Sequence, residues 1–269
     1  MGGTEHLITE RYGATLVLTL NRPEAKNAFS IPMLVGLHDA WLEADADDSV
    51  RSLVLTGAGG AFCAGMDLKA LAGGGFTGPE ADRHRARLAA DPDLHWKAML
   101  RHHRPRKPVI AAVEGVCVAG GTEMLQGTDI RVAAESASFG LFEVRRGLFP
   151  IGGSTVRLPR QIPRTHALEM LLTGRRCTAA EARDMGLVGS VVPDGGALKR
   201  ALELAEAVNS AAPLAVEAVK RSVYECAELA ESEGLARELE IGWPVFATED
   251  AKEGPRAFAE HRAPVYRRH

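Results

Sequence analysis

The 269-residue sequence predicts an α/β protein with a helical C-terminal region. Short runs of branched apolar residues alternate with helical periodicity through the first half of the chain. Beyond Gly140 the pattern turns mostly helical. No internal repeat and no linker between independent domains interrupts it. Residues 1–195 therefore read as one core, and residues 196–269 as a helical region able to serve as an oligomerisation surface.

Thr15–Leu20 is a short branched apolar run and predicts a buried strand, ended by the loop signal Asn21-Arg22-Pro23. Ser30 is an N-cap with Pro32 in the first turn. Met33, Leu34, Leu37, Trp41 and Leu42 then fall on one helical face. Ser52–Thr56 is a second strand, closed by Gly57-Ala58-Gly59-Gly60. Gly73–Pro79 is glycine-rich and predicts a mobile loop. Val109–Val113 is a third strand, Gly120–Gly127 a short helix and Ile130–Ala134 a fourth strand. Thr178-Ala179-Ala180-Glu181 has the capping-box pattern. Leu187–Val192 predicts a late strand, after which Asp194 caps an amphipathic helix ending near Ser210. Helices follow at Pro213–Leu229 and Glu233–Phe246, with a last short one from about Asp250.

Hydrophobic residues at 46% and charged residues at 25% supply a large core and exclude disorder as the main state. A net charge of −3 gives no global attraction to nucleic acid or to a membrane surface. The 5% of aromatics is too few for a base-stacking platform. Cys63, Cys117, Cys177 and Cys226 form no CxxC, which argues against a disulfide framework or a zinc knuckle. Nor does any His/Cys/Asp cluster have metal-ligand spacing, and no metal or redox cofactor is expected. Met1–Glu10 lacks the apolar core of a signal peptide, and no apolar run nears the ~20 residues of a membrane span. A cytoplasmic location is expected.

Three segments carry candidate chemistry: 61–68, directly after a strand; 114–123, also after a strand; and 138–143. Small residues at strand-to-helix turns let backbone approach a ligand closely. The first amides of the following helix lack intrahelical partners and carry the positive end of its dipole. Two such turns facing each other make an oxyanion hole. Glu123 lies early in its helix, just past Gly120-Gly121, and Glu143 follows a Phe-Gly turn. Two carboxyls at one centre divide acid and base roles when their environments separate their pKa values. In isolation each glutamate reads as an ordinary surface carboxylate, so the combination carries the argument.

That combination resembles the enoyl-CoA hydratase/isomerase (crotonase) superfamily, along nearly the whole chain. Asn21-Arg22-Pro23-Glu24-Ala25-Lys26-Asn27-Ala28 resembles its N-R-P-x-x-x-N-A segment, and Phe62-Cys63-Ala64-Gly65-Met66-Asp67-Leu68 its F-C-A-G-x-D-L turn. Lys107–Gly115 through Ala119-Gly120-Gly121 resembles its K-P-x-I-A-A-V-x-G…GG strand and helix start. Ser138-Phe139-Gly140 with Glu143 and Gly147, Leu172-Thr173-Gly174, Ala180–Val188 and Asp250–Gly254 before Phe258 also fit. The wording is most similar to actinobacterial members, some of which act on bulky, sterol-derived thioesters.

The resemblance implies a ββα-spiral core with C-terminal helices that build a trimer or a dimer of trimers and touch the CoA pocket. It implies oxyanion donors at the amides of Met66 and Gly120, and catalytic glutamates at Glu123 and Glu143. Glu123 would activate the water that attacks Cβ, and Glu143 would protonate Cα, giving a 3-hydroxyacyl-CoA in fatty-acid or sterol side-chain β-oxidation. Glu24, Ala25, Lys26 and Ala64 fall where the family contacts CoA, beside Gly65, Asp67, Leu68 and Gly121 of the same turns. Coenzyme A is part of the substrate, and no other cofactor is implied. Both glutamates together favour hydration. The alternatives are a Δ3,Δ2-enoyl-CoA isomerase, another CoA thioester enzyme (hydrolase, dehalogenase or decarboxylase), or a non-catalytic CoA- or RNA-binding homologue. The cationic stretch Arg83–Lys107 would steer CoA phosphates, bind RNA or lie solvated, and the net charge weighs against RNA. The sequence departs from the family at Met66, where many hydratases have alanine, at Ala119, which replaces a glycine, at Arg145-Arg146, and at His261, where several relatives have lysine.

Overall fold

A computed structural model describes residues 4–67 and 79–269. Leu68 and the glycine-rich stretch before Pro79 lie outside the described residues. The main sheet has six strands in the order β1-β2-β3-β4-β6-β9, and a smaller one has the order β5-β7-β8. β1 (Leu7–Tyr12) pairs antiparallel with β2 (Thr15–Leu20), and β3 (Ser52–Gly57), β4 (Val109–Val113), β6 (Ile130–Ala134) and β9 (Ser190–Val192) continue in parallel. In the small sheet β5 (Val116–Val118) runs parallel to β7 (Ser138–Gly140), which pairs antiparallel with β8 (Arg176–Thr178).

The unbroken apolar strands follow from burial on both faces. Leu16, Leu18, Leu53, Leu55, Val109 and Ala111 face the larger core, with α1 (Ile31–Ala46). The intervening Val17, Val54, Ile110 and Ala112 face a second core, formed with α8 (Ala197–Asn209). Period-two alternation sorts the residues, and both faces are dry. On α8 the stripe Ala197, Ala201, Ala205 repeats every fourth residue, so the helix lies close against the sheet. Its end is tied down by Asn209, whose side chain bonds Thr15 and Ser52 at 2.8 Å each.

Ser30 caps α1 through Met33 N, as its sequence predicts. Trp41 is fully buried and donates to Ala98 O at 3.0 Å. Leu42, expected on the same face, is instead 49% exposed, because one residue further turns it by about 100° away from the sheet. Between α1 and β4 lie α2 (Pro79–Ala90) and α3 (Leu94–Ala98), and after β5 comes α4 (Gly120–Leu125). Before α8 come α5 (Ser154–Gln161), α6 (Arg164–Thr173) and α7 (Ala179–Asp184), whose Thr178/Glu181 capping box is complete. The chain ends in α9 (Pro213–Cys226), α10 (Glu231–Phe246) and α11 (Glu249–Ala259). Its tail returns to the core, where Arg268 meets Glu217 and Asp48 and the Asp250 carboxylate accepts from the amides of Arg267 and Arg268.

Many cations of the 83–107 stretch are held within the chain. Arg87 pairs with Asp39 at 2.7 Å, Lys97 with Asp91 at 2.8 Å and Arg106 with Glu217 at 3.4 Å. Arg101 stacks over Trp96 and Arg104 over Tyr224. Lys107 is fully buried and donates to Ala44 O and Asp47 O, the last carbonyls of α1. It serves as a cationic C-cap for that helix, and burial lowers its pKa.

Asp194 does not cap α8. Its carboxylate accepts from Ser136 N at 2.8 Å, while Glu114, at the end of β4, accepts from Gly195 N at 3.2 Å and Ala197 N at 3.1 Å. The turn Gly195-Gly196 after Asp194 shifts the helix start and presents its amides to the strand end. Glu114→Ala is expected to cost about 1 kcal/mol in urea unfolding, as a lost N-cap does, and more than Asp194→Ala. Equal losses from the two variants would show that α8 is not capped from Glu114.

Candidate active site

The segment after β3 is sewn between two neighbours. Cys63 forms a parallel bridge with Cys117, with Cys63 N bonding Val116 O and Val118 N bonding Cys63 O at 2.9 Å each. On its other side Phe29 N donates to Gly65 O at 2.8 Å, and Asp67 N donates to Phe29 O at 3.2 Å. These bonds use the groups flanking Met66, so the Met66 amide faces away from Phe29. Gly65 has φ +90, and a Cβ there would lie 2.9 Å from Gly120 N and 2.8 Å from the Ala119 Cβ. A Cβ at Gly121 would lie 2.4 Å from Cys63 O. Glycine at both positions is what lets the Met66 and Gly120 turns touch. Among the described residues neither the Met66 nor the Gly120 amide donates to a backbone carbonyl outside a helix or strand.

Ala119 enters α4 at φ 50, ψ −129, a region that glycine favours and alanine tolerates at a cost of ~1–3 kcal/mol. Two hydrogen bonds hold it there: Ala119 N donates to Gly140 O at 2.7 Å, and Ala119 O accepts from Glu123 N at 3.0 Å. The Thr122 hydroxyl bonds Cys117 O at 2.6 Å and Gly140 O at 3.2 Å. The same contacts dock β7, and so the 3-10 turn Glu143–Arg146, against α4.

Glu123 is 5% exposed. Its Oε1 accepts from Ser154 N at 3.4 Å, and the Gly152 backbone lies so close that a Cβ there would meet Oε2 at 2.5 Å. Burial, then repulsion from Glu143, raises its pKa to about 7. Burial also raises Glu143, against the opposing pull of a backbone amide and of Arg146. Of the two cations after Glu143, Arg145 turns away and donates to Thr173 O at 2.7 Å. Oε2 of Glu143 is buried and has no hydrogen-bond partner among the described residues.

The loop of Glu24, Ala25 and Lys26 is clamped to the Met66 turn. Lys26, at φ 50, accepts from Ala64 N at 3.0 Å, and Arg22 pairs with Asp67 at 3.0 Å. Asn27 is fully buried, receives Arg22 N and donates to Ala58 O and Ala61 O. Glu24 is exposed beside Arg22. Glu24, Ala25 and Lys26 are thus tied to Ala64, Gly65 and Asp67 of the Met66 turn, and Gly121 packs against the same turn at Cys63 O. Gly152, Ser154 and Gln126 also reach this site, though sequence reasoning passed over them. Gly152-Gly153-Ser154 before α5 was the one available signal, a glycine turn opening a helix.

Cys63 and Cys117 are fully buried beside the two turns. Burial pushes the Cys63 thiol up to about 12 and raises Cys117 well above its ordinary value. A 530 Å³ cavity lies elsewhere, between α9, α10 and residues 104–106, and is lined by neither Glu123 nor Glu143. No helix among the described residues is long and apolar enough to cross a membrane.

The sequence profile of the enoyl-CoA hydratase/isomerase family matches residues 10–269. Enoyl-CoA hydratase EchA19 of Mycobacterium tuberculosis is 52% identical over 259 residues, spanning 96% of this chain and 95% of that protein. The mevalonyl-coenzyme A hydratase SIDH of Beauveria bassiana is 38% identical over 265 residues, with 94% and 91% covered. The crystal structure of an enoyl-CoA hydratase from Mycobacterium tuberculosis H37Rv superposes with a TM-score of 0.88 at 39% identity, covering 99% of this chain and all of that one, at 100%. On this match over nearly its whole length, the chain belongs to the enoyl-CoA hydratase/isomerase, or crotonase, family.

Proposed function

We propose that the chain adds water across the 2,3 double bond of a 2-enoyl-CoA to give a 3-hydroxyacyl-CoA. It is an enzyme of the hydratase kind, as its relatives' names indicate. The observation that carries the mechanism is one buried and one half-buried carboxyl, each with a raised pKa, with two touching glycine turns.

The thioester carbonyl accepts from Met66 N–H and Gly120 N–H. Negative charge grows on that oxygen as water adds at Cβ, and fixed donors stabilise it without reorganisation. Glu123, ionised, takes a proton from the attacking water. Glu143, protonated, delivers one to Cα, so the atoms of one water are added and the pair still holds a single proton. Burial and mutual repulsion disfavour the doubly ionised pair, which keeps that proton in place near neutral pH. The acyl chain is of the fatty-acid or sterol side-chain type, and the partly buried Met66 narrows the pocket beside the oxyanion turn. No cofactor beyond the CoA of the substrate enters these steps.

CoA lies along Glu24, Ala25, Lys26, Ala64 and Asp67, the clamped rim of the site. The protein works in the cytoplasm as a homotrimer or a dimer of trimers. Large exposed apolar side chains support assembly: Leu148, Phe149, Ile151 and Leu172 near the site, and Trp243, Phe246 and Phe258 in the 196–269 region.

Glu123→Gln and Glu143→Gln are each expected to lower kcat for hydration of crotonyl-CoA or a longer 2-enoyl-CoA by about 10²–10⁴-fold, read from loss of the conjugated-thioester absorbance. Full hydration activity in either variant would remove that residue from the mechanism. The free enzyme's kcat/KM is expected to fall as pH rises past about 7, where the pair as a whole loses its last proton. It should fall again in acid, where both carboxyls are protonated; a flat profile from pH 5 to 9 would contradict the shared proton. Gly65→Ala must push the two turns apart, since its Cβ meets backbone, and should cost about 100-fold in kcat. Unchanged kcat in a folded Gly65→Ala variant would show that the amides are not the oxyanion donors.

A further inference from the structure

α9 and α10 close over residues 104–106 and leave a cavity of 530 Å³, within the range of about 300–1,000 Å³ that small-molecule sites occupy. Leu214 and Ala218 of α9 and Ile241 and Val245 of α10 give it an apolar wall. Arg104 also lines it, and the guanidinium stacks on the Tyr224 ring, 3.3 Å from the centroid. The cations of the wall are paired except one. Lys220 bonds Asp129 at 2.7 Å, Arg221 bonds Glu225 at 2.7 Å and Arg106 pairs with Glu217 at 3.4 Å. Asp129 also accepts from the Tyr224 hydroxyl at 2.8 Å and from Val109 N at 2.7 Å. Tyr224 is thereby held by its hydroxyl, and its ring holds Arg104. Among the described residues the N–H donors of Arg104 meet no acceptor. At about 100° per residue, Ile241, Val245 and Thr248 share one face of α10, while the exposed Leu235, Leu239, Trp243 and Phe246 share the opposite one. On α9 the exposed Val219 and Val223 likewise lie opposite Leu214, Ala218 and Arg221. The apolar surface open to a second copy of the chain therefore points away from the cavity.

We propose that this cavity is a binding site for a small amphipathic monocarboxylate, an apolar chain ending in a carboxylate, with its head on Arg104 and its chain along Leu214, Ala218, Ile241 and Val245. The site is separate from Glu123 and Glu143 and does not depend on the hydration reading. A guanidinium offers paired N–H donors at the spacing of the two carboxylate oxygens. Stacking on Tyr224 orients it before the ligand arrives, so little side-chain entropy is lost on binding. One uncompensated positive charge suits one negative charge. A ligand bearing several phosphate charges would meet Glu217 and Glu225, which line the same cavity. A neutral chain would forgo the charge-assisted hydrogen bonds.

The test is calorimetric titration of octanoate into the full chain at neutral pH, with 1-octanol and inorganic phosphate as controls. Octanoate should bind and phosphate should not. Arg104→Met removes the donors and keeps the length of the side chain. It should weaken octanoate by about tenfold or more, as loss of a charge-assisted hydrogen bond does, and leave octanol unchanged. Arg104→Lys, with the charge but not the fork, should fall between the two. Ala218→Phe, which fills the cavity, should abolish binding of both chains. No octanoate binding by the wild type would overturn the proposal, and so would equal octanoate affinity in wild type and Arg104→Met. Competition between octanoate and a 2-enoyl-CoA that persists in Arg104→Met would place the acid in the acyl pocket and overturn it as well. A wild type that binds no octanoate, and whose oligomeric mass changes in Ala218→Phe, would make a second copy of the chain the occupant instead. Should Ala218→Phe fail to fold, the contrast between octanoate and octanol in Arg104→Met decides alone.

Discussion

Gly65 lies so close to the Gly120 amide that no side chain fits between them, and the rest of the molecule is arranged to keep that approach. The Cys63–Cys117 bridge closes the gap from one side and the Phe29–Met66 bridge fixes the other. Ala119 accepts an unfavourable backbone conformation so that α4 can begin at that point, and Gly140 holds it there. Because Gly140 bonds both Ala119 and Thr122, the strand that leads into the Glu143 turn is positioned by the same contacts that shape the Gly120 turn. Amides and carboxyls are therefore not independent parts. A shift of one turn would move the other turn and the acid pair with it.

The large features of the fold were legible because their signals are long. The both-faces-buried strands at 15–20, 52–57 and 109–113 read as apolar runs, and the capping box at Thr178 reads from four residues. β1 was missed because it is an edge strand with charged residues between its apolar ones, buried along one face only. β5, β7 and β8 have three residues each, too few to show a period. The late strand is shorter than its apolar run because Leu187 and Val188, though buried, bond back to Ala182 in a turn. The cap of α8 comes from Glu114, 83 residues away, and only the folded sheet brings it near.

The same limit applies at the site. Glycines before a helix and two glutamates are local patterns, and they led to Glu123, Glu143, Met66 and Gly120. Arg22 and Asn27, which clamp the CoA-side loop, appeared in the sequence only as part of a motif without a stated role. Ser154 lies 31 residues from the carboxylate that its amide touches, and the glycine turn before it does not show which carboxylate it meets. Lys107 illustrates a reversal of meaning. In sequence it closes a basic stretch, whereas in the fold it is dry and terminates α1.

The paired thiols beside the two glycine turns bear on chemical modification. Cys63 and Cys117 have no solvent-exposed surface and stay protonated through the neutral range, and Cys177 is buried as well, with its thiol raised to about 11. Alkylating electrophiles need a thiolate within reach, so these three sulfurs are shielded while the chain is folded. Labelling at any of them would track opening of the core rather than occupancy of the catalytic cleft, and would make these cysteines native reporters of local unfolding.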